Sequence, residues 1–316
     1  MKQTGSRSPY DESMWYALYK TLTSPYLRPV TLRCIATIAY NFFLRQYRAA
    51  YLPGRAPVSS VDHPLDRKIP FTPSWVTIYL DFVPFWMRMV SFLLRNYKRT
   101  AHEAVIDFVS SMGELYKFAA GVYQKNFSTT ARPFYIARPR FFAIHLLDPH
   151  LMCIPSLHVM IAIRTYTKFR QIMRTLGDEQ KFAAQIEEMR QGALAISRAI
   201  LYIKQHSINC VSAALYAMCC FDPDLFTAED AQAFTAELFN GAVPAAGNSK
   251  GKIANLLVRP ASAPSCTIAA DDIAEIQEHV IRLFRRFMSE KQEAENWDEP
   301  LLQFLREMPQ KIRLQD

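Results

Sequence analysis

Two short stretches, Ile154-Pro-Ser-Leu-His-Val159 and Lys204-Gln-His-Ser-Ile-Asn-Cys210, set the terms on which this chain can fold. Each places one histidine, His158 or His206, at the polar edge of an apolar run. Pro155 suits the first turn of a helix, and the backbone N–H groups there, with the Ser156 hydroxyl, suit an anion. Gly192–Ile203 and Ser207–Phe221 read as two short apolar helices joined at His206. One imidazole attacking phosphorus while a second protonates the leaving oxygen is covalent catalysis with a general acid, provided that cations neutralise the phosphoryl oxygens. The sequence supplies Lys125, Arg132, Arg138 and Arg140 upstream, and Lys204 beside the second histidine.

These residues resemble the three motifs of the type 2 phosphatidic acid phosphatase superfamily. Lys125-Asn-Phe-Ser-Thr-Thr-Ala-Arg132-Pro133 is similar to the first, Pro155-Ser156-Leu157-His158 to the second and Lys204-Gln205-His206 to the third. The Leu in the second motif, the Lys-Gln-His of the third and the entry Asp66-Arg-Lys-Ile-Pro-Phe-Thr-Pro73 look like the inositolphosphorylceramide-synthase-like branch. The likeness runs over roughly residues 30–221. It implies an all-α, polytopic membrane bundle of about six helices that removes or transfers a phosphoryl group on a lipid-linked phosphate. His206 would be the nucleophile that forms a phosphohistidine and His158 the general acid. Lys125, Arg132 and Lys204 would clamp the phosphate with Ser156 donating a hydrogen bond, and Arg138 is the reserve for the clamp. No metal or other cofactor is implied.

The third motif departs from the pattern. The positions expected to read Ser-Arg hold Ala199 and Ile200, and the position expected to be Asp is Cys210. Loss of the orienting carboxylate in the analogous serine-protease triad costs about 10^4-fold in rate. A cysteine, with an ordinary pKa of about 8.5, supplies little of that charge. The alternatives are therefore a membrane scaffold that keeps the phosphate pocket without turnover, and a soluble helical acid phosphatase.

Half of the 316 residues are apolar, enough for a large core. With only 9 glycines and 13% aromatics, long helices with bulky faces fit better than a glycine-punctuated sheet. The net charge of +8 comes without a basic nucleic-acid module, so it points to an anionic lipid surface or a phosphorylated substrate and not to nucleic acid. Cys34, Cys153, Cys210, Cys219, Cys220 and Cys266 show no C-x-x-C spacing and read as buried, reduced thiols. His145 and His150 fit no metal spacing and read as surface histidines. The first 28 residues lack the apolar core of a cleavable signal peptide.

Residues 1–29 read as a polar or interfacial lead with an amphipathic piece around Met14–Tyr19. The membrane domain, 30–221, would span at Val30–Tyr47, Trp75–Leu94, Ala104–Gln124 and the three motif-bearing runs. Asp107, Glu114 and Lys117 make Ala104–Gln124 the weakest of these. A charge at a helix centre costs about 2.5–3.5 kcal/mol, so Glu114 and Lys117 must face each other against neighbouring helices. Residues 168–190 read as a solvated helical connection. Basic connections at 95–103 and 168–190 place both termini in the cytoplasm and the motif loops on the opposite face. Residues 222–316 form a cytoplasmic helical tail with a flexible linker at 241–266. Its amphipathic helix, Asp271–Glu295, should pack on the main domain or on a protein partner, because its outer face is mixed in charge.

Overall fold

The structure is a computed structural model and describes residues 7–51, 58–135, 137–239 and 268–311. It is mostly helical. In chain order the helices are α1 (Met14–Thr23), α2 (Arg28–Ile38), α3 (Arg45–Tyr51), α4 (Val76–Tyr79), α5 (Phe82–Tyr97), α6 (His102–Tyr123), α7 (Pro139–Leu147), α8 (Leu157–Thr175), α9 (Ala183–Tyr202), α10 (Ile208–Phe221), α11 (Ala228–Glu237), α12 (Ala270–Lys291) and α13 (Glu299–Glu307). A π-helical turn, Ala39–Leu44, runs α2 into α3, so 28–51 is one rod of about 36 Å at the usual helical rise. Three short strands, β1 (Val58–Ser60), β2 (Phe127–Thr129) and β3 (Gln310–Lys311), form a sheet in the order β2-β1-β3. β1 runs parallel to β2 with Val58 opposite Phe127, and antiparallel to β3.

The core is built on α8. Nearly every side chain from Leu157 to Phe169 is buried, with α9 and α10 packed along it. That burial includes charge. Arg164 pairs with Asp222 and donates from Nε to the Ser111 hydroxyl at 3.2 Å, while Lys168 lies 2.7 Å from Asp107. Pairing of this kind offsets the cost of burying a cation. The expected solvated connection at 168–190 is therefore mostly two core helices, with only a short turn between Thr175 and Ala183. Lys168, Phe169, Ile172 and Met173 are buried because an amphipathic face lies under the charged sequence.

Two other expectations change. Glu114 and Lys117 do not face a neighbouring helix: they form a long 4.0 Å pair and are both about two-thirds exposed, at 67% and 68%. Among the described residues one stretch, Pro73–Tyr123, is long and apolar enough to cross a membrane, and 56% of its most apolar window is buried in the protein. It is broken into α4, α5 and α6, with Asp81 and Arg88 paired at the first break.

The segment after Phe221 packs back onto the preceding helices. α12 buries Ile276, Val280, Phe284 and Phe287, and lies along α10. Tyr216 donates its hydroxyl to the Trp297 carbonyl at 2.5 Å, and Trp297 stacks on Phe118 at 3.6 Å. The expected linker at 241–266, including Cys266, lies outside the described residues. The other five cysteines are free thiols, four of them buried.

Candidate active site

The two histidine stretches meet because each is pinned to the other's helix. The Ser156 N–H donates to the Cys210 carbonyl at 3.4 Å, which lays the first turn of α8 against the first turn of α10. α9 ends with Lys204 in the left-handed region at φ 56°. That reversal turns the Gln205 and His206 N–H groups back to the Ile200 carbonyl, at 2.9 and 3.2 Å, closing the helix end. Asp66 then clamps the loop. Its Oδ1 accepts the Ile208 N–H at 2.9 Å, and its carbonyl, with that of Ile69, accepts the Lys204 ammonium. The Asp66–Pro73 entry is thus a brace for the His206 loop.

The rings of His158 and His206 face each other with centroids 5.4 Å apart and planes at 64°. His158 is stacked on Tyr79 at 4.5 Å and meets the edge of Phe82 at 4.4 Å. Burial among these rings, together with neighbouring His206, pushes its pKa down to about 3, so the free protein holds it neutral. His150 was expected at the surface. It is buried at 5% exposure, and its ring centroid lies 6.0 Å from that of His206.

His150 is held by Asp148 and Cys153. An Asp-Pro-His turn with φ 58° at His150 lets Asp148 Oδ1 accept the His150 N–H at 3.0 Å, while Oδ2 lies 3.6 Å from Nδ1. Cys153 Sγ is 3.5 Å from Nε2, and the Thr130 hydroxyl is 2.8 Å from the same nitrogen. Burial alone would raise the Cys153 thiol, but its contacts with Cys210, His150 and His206 hold it well below the ordinary value. Burial disfavours the His150 cation, yet Cys153 and Asp148 lift it to about 9. For Asp148, burial is outweighed by His150 and Arg132, which keep it below the usual carboxylate range. Cys210 goes the other way, raised by burial and by Cys153. The thiol held toward its anion is thus Cys153 and not Cys210, and with His150 and Asp148 it forms a chain of polar groups that ends beside His206.

The expected cations separate. Arg132 is in the site: it donates to the Gln205 side-chain oxygen and to the Asp148 carbonyl, both at 3.2 Å. Lys125 is turned to the C-terminal segment, 2.5 Å from buried Asp298. Lys204 is spent on the brace, and Arg138 is exposed at the start of α7. Three buried polar atoms from the motif positions, Ser156 Oγ, Gln205 Nε2 and His206 Nδ1, have no hydrogen-bond partner. Unpaired buried groups of this kind mark a place where a ligand or water belongs. Beside them is a cleft of about 20 Å³ lined by Phe42, Gln46, Asp148, His158 and His206 among others. That is room for one water, so a phosphoryl group enters only if side chains move. No group of three or more His, Cys, Asp or Glu able to hold a metal occurs among the described residues.

His150, Asp148, Cys153 and Gln205 were given no role in the site from the sequence, where His150 read as a surface histidine and Cys153 as a buried thiol. The one legible sign was Asp148, the only acid in the basic connection 125–154, followed by Pro as in a turn. No protein-family model, no curated protein and no solved structure matches the chain.

Proposed function

We propose that the chain is a phosphatase or phosphotransferase acting on a lipid-linked phosphate through His206 and His158. The observation that carries this reading is the facing pair of rings, 5.4 Å apart, beside one guanidinium and three unpartnered polar atoms. In the first step a ring nitrogen of His206 bonds to phosphorus as the bond to the leaving oxygen breaks, and His158 gives that oxygen a proton. In the second, water attacks phosphorus, His158 takes the proton, and the P–N bond breaks; an alcohol in place of water makes the reaction a transfer. Arg132, Ser156 and Gln205 supply donors to the phosphoryl oxygens, where fixed donors stabilise developing charge. His158 is neutral in the free protein, so the dianionic substrate itself must draw the proton onto it. The Asp148, His150 and Cys153 chain takes the part of the missing orienting carboxylate.

The lipid component rests on the apolar stretch Pro73–Tyr123 and on the net positive charge. A six-span arrangement fits the charges enclosed between helices less well: Arg164, Lys168 and Arg198 are all buried in the helix core. A binding protein without turnover is the second reading, favoured by the one-water cleft and by the thiol at Cys210.

Phosphate release by the purified protein from a set of lipid phosphates and pyrophosphates tests both, with His206→Ala and Cys210→Asp alongside. Release that His206→Ala abolishes is the expected result. Release unchanged in His206→Ala sinks the catalytic assignment. Substrate binding without release by the parent or by Cys210→Asp makes the chain a binder.

A further inference from the structure

The rod 28–51 has two apolar faces, and only one of them is used. Val30 and Cys34 point into the core, where Gly113 of α6 lies close to Cys34, and Phe42 meets the edge of Tyr116 at 6.1 Å. The opposite face carries Leu32, Ile35, Tyr40, Phe43, Leu44 and Tyr51, between 44% and 68% exposed. Leu32 and Ile35, and Tyr40 and Phe43, are three residues apart, and with Leu44 and Tyr51 they make a broad outward stripe along the rod, where a surface helix normally places polar residues.

Charge selects what covers this stripe. From residue 13 to residue 61 the sequence has no Asp or Glu. Arg28, Arg33 and Arg48 are exposed on the rod itself, and the Arg45 guanidinium lies over the Tyr40 ring at 5.2 Å. α7 extends the surface. Tyr47 donates to the Leu147 carbonyl at 2.5 Å, joining the rod to the end of α7, whose Phe142, Leu146 and Leu147 are exposed by 49%, 64% and 61%. Arg138 and Arg140 are exposed at the other end of α7. Apolar and aromatic side chains rimmed by arginine, with no acid on the rod, match a lipid surface bearing anionic headgroups.

The stripe also adjoins the candidate site. Phe42 and Gln46, on the rod, line the cleft with His158 and His206, and Gln46 donates to Asp148 at 2.8 Å.

We infer that the rod 28–51 and α7 form a collar that lies on an anionic membrane surface and presents headgroup phosphates to the cleft between His158 and His206. The presentation of substrate rests on the proposed function; the docking does not.

The test is sedimentation of the full-length protein with phosphatidylcholine vesicles, with and without phosphatidylserine, at low and high salt. The parent is expected to pellet with the anionic vesicles and to be released by salt. Leu32→Ser with Phe43→Ser, and separately Arg33→Gln with Arg48→Gln, should each weaken that binding about tenfold. All four side chains point outward, so circular dichroism should match the parent. Equal pelleting of parent and both variants, or no pelleting at all, overturns the inference. So does a parent that dimerises in light scattering through this face without binding vesicles. Because no turnover is read, a chain that docks yet releases no phosphate keeps the collar and refutes only the catalysis.

Discussion

Cys153 Sγ lies 3.5 Å from His150 Nε2, with Asp148 on the other ring nitrogen and the His206 ring one neighbour away. If this chain orients His206, Cys153→Ser should lower turnover by about 10^2-fold, less than the loss of a full carboxylate partner. Cys153→Asp, which restores a negative charge, should recover most of it. A purely packing role would leave both variants equally impaired. Steady-state phosphate release across pH separates the two outcomes.

The same pair gives a pH-dependent stability. The His150 pKa is raised from 6.5 to about 9 in the folded protein, so its contribution is complete below pH 6.5 and is lost as pH rises through about 9. The stability difference between the parent and His150→Gln, read by urea denaturation, should therefore shrink between pH 6.5 and 9.

Arg132 and Lys125 look alike in the sequence and differ in the fold. Arg132→Ala removes the guanidinium that donates to Gln205 in the site and should cost about 10^2- to 10^3-fold in turnover. Lys125→Ala leaves Asp298 buried without its cation, and should cost about 1–2 kcal/mol of stability with little change in turnover of the protein that remains folded. Thermal melts and initial rates on both variants check the contrast.

His63 and His279 stack with ring centroids 3.8 Å apart and join the 61–66 turn to α12. Burial, His63 and Arg282 push His279 down to about 4, and burial and Arg282 lower His63 despite Asp66 and Glu275. A depressed histidine contributes stability above its unfolded value of 6.5 and loses it as pH falls toward 4. Acid should therefore loosen α12 first. Faster amide exchange along 270–291 at pH 5 than at pH 7, after correction for intrinsic rates, is the expected result, and His279→Gln should remove most of the difference.

Gly192 has no room for a side chain, since a Cβ there would overlap the Tyr10 hydroxyl and reach within 2.7 Å of Phe85. Gly192→Ala should destabilise by about 1–3 kcal/mol through overpacking, visible as a lower urea midpoint with an unchanged slope.

The helices were legible because apolar spacing persists through them. α6 and α12 fall within a few residues of Ala104–Gln124 and Asp271–Glu295, while α9 starts well before Gly192 because its first half is charged. The pairing of His158 with His206 was legible too, as both stand at the ends of apolar runs. What was not legible is which partner each polar group chooses. Lys125 and Lys204 sit at motif positions, but Asp298 and the Asp66–Ile69 carbonyls capture them, and local spacing carries no information about partners so distant in sequence. His150 looked like a surface residue because its burial depends on a left-handed turn and on Cys153 beyond it.

β1 has one neighbour at residues 127–129 and another at 310–311, and the Ser59 hydroxyl reaches the Leu305 carbonyl at 2.8 Å. During synthesis, β1 leaves the ribosome long before β3 exists. One edge of that strand must stay unsatisfied while the helices of both histidine stretches emerge and collapse. Completion of the sheet thus waits on residues 310–311, and a nascent chain stalled before them carries an open edge for chaperones to cover.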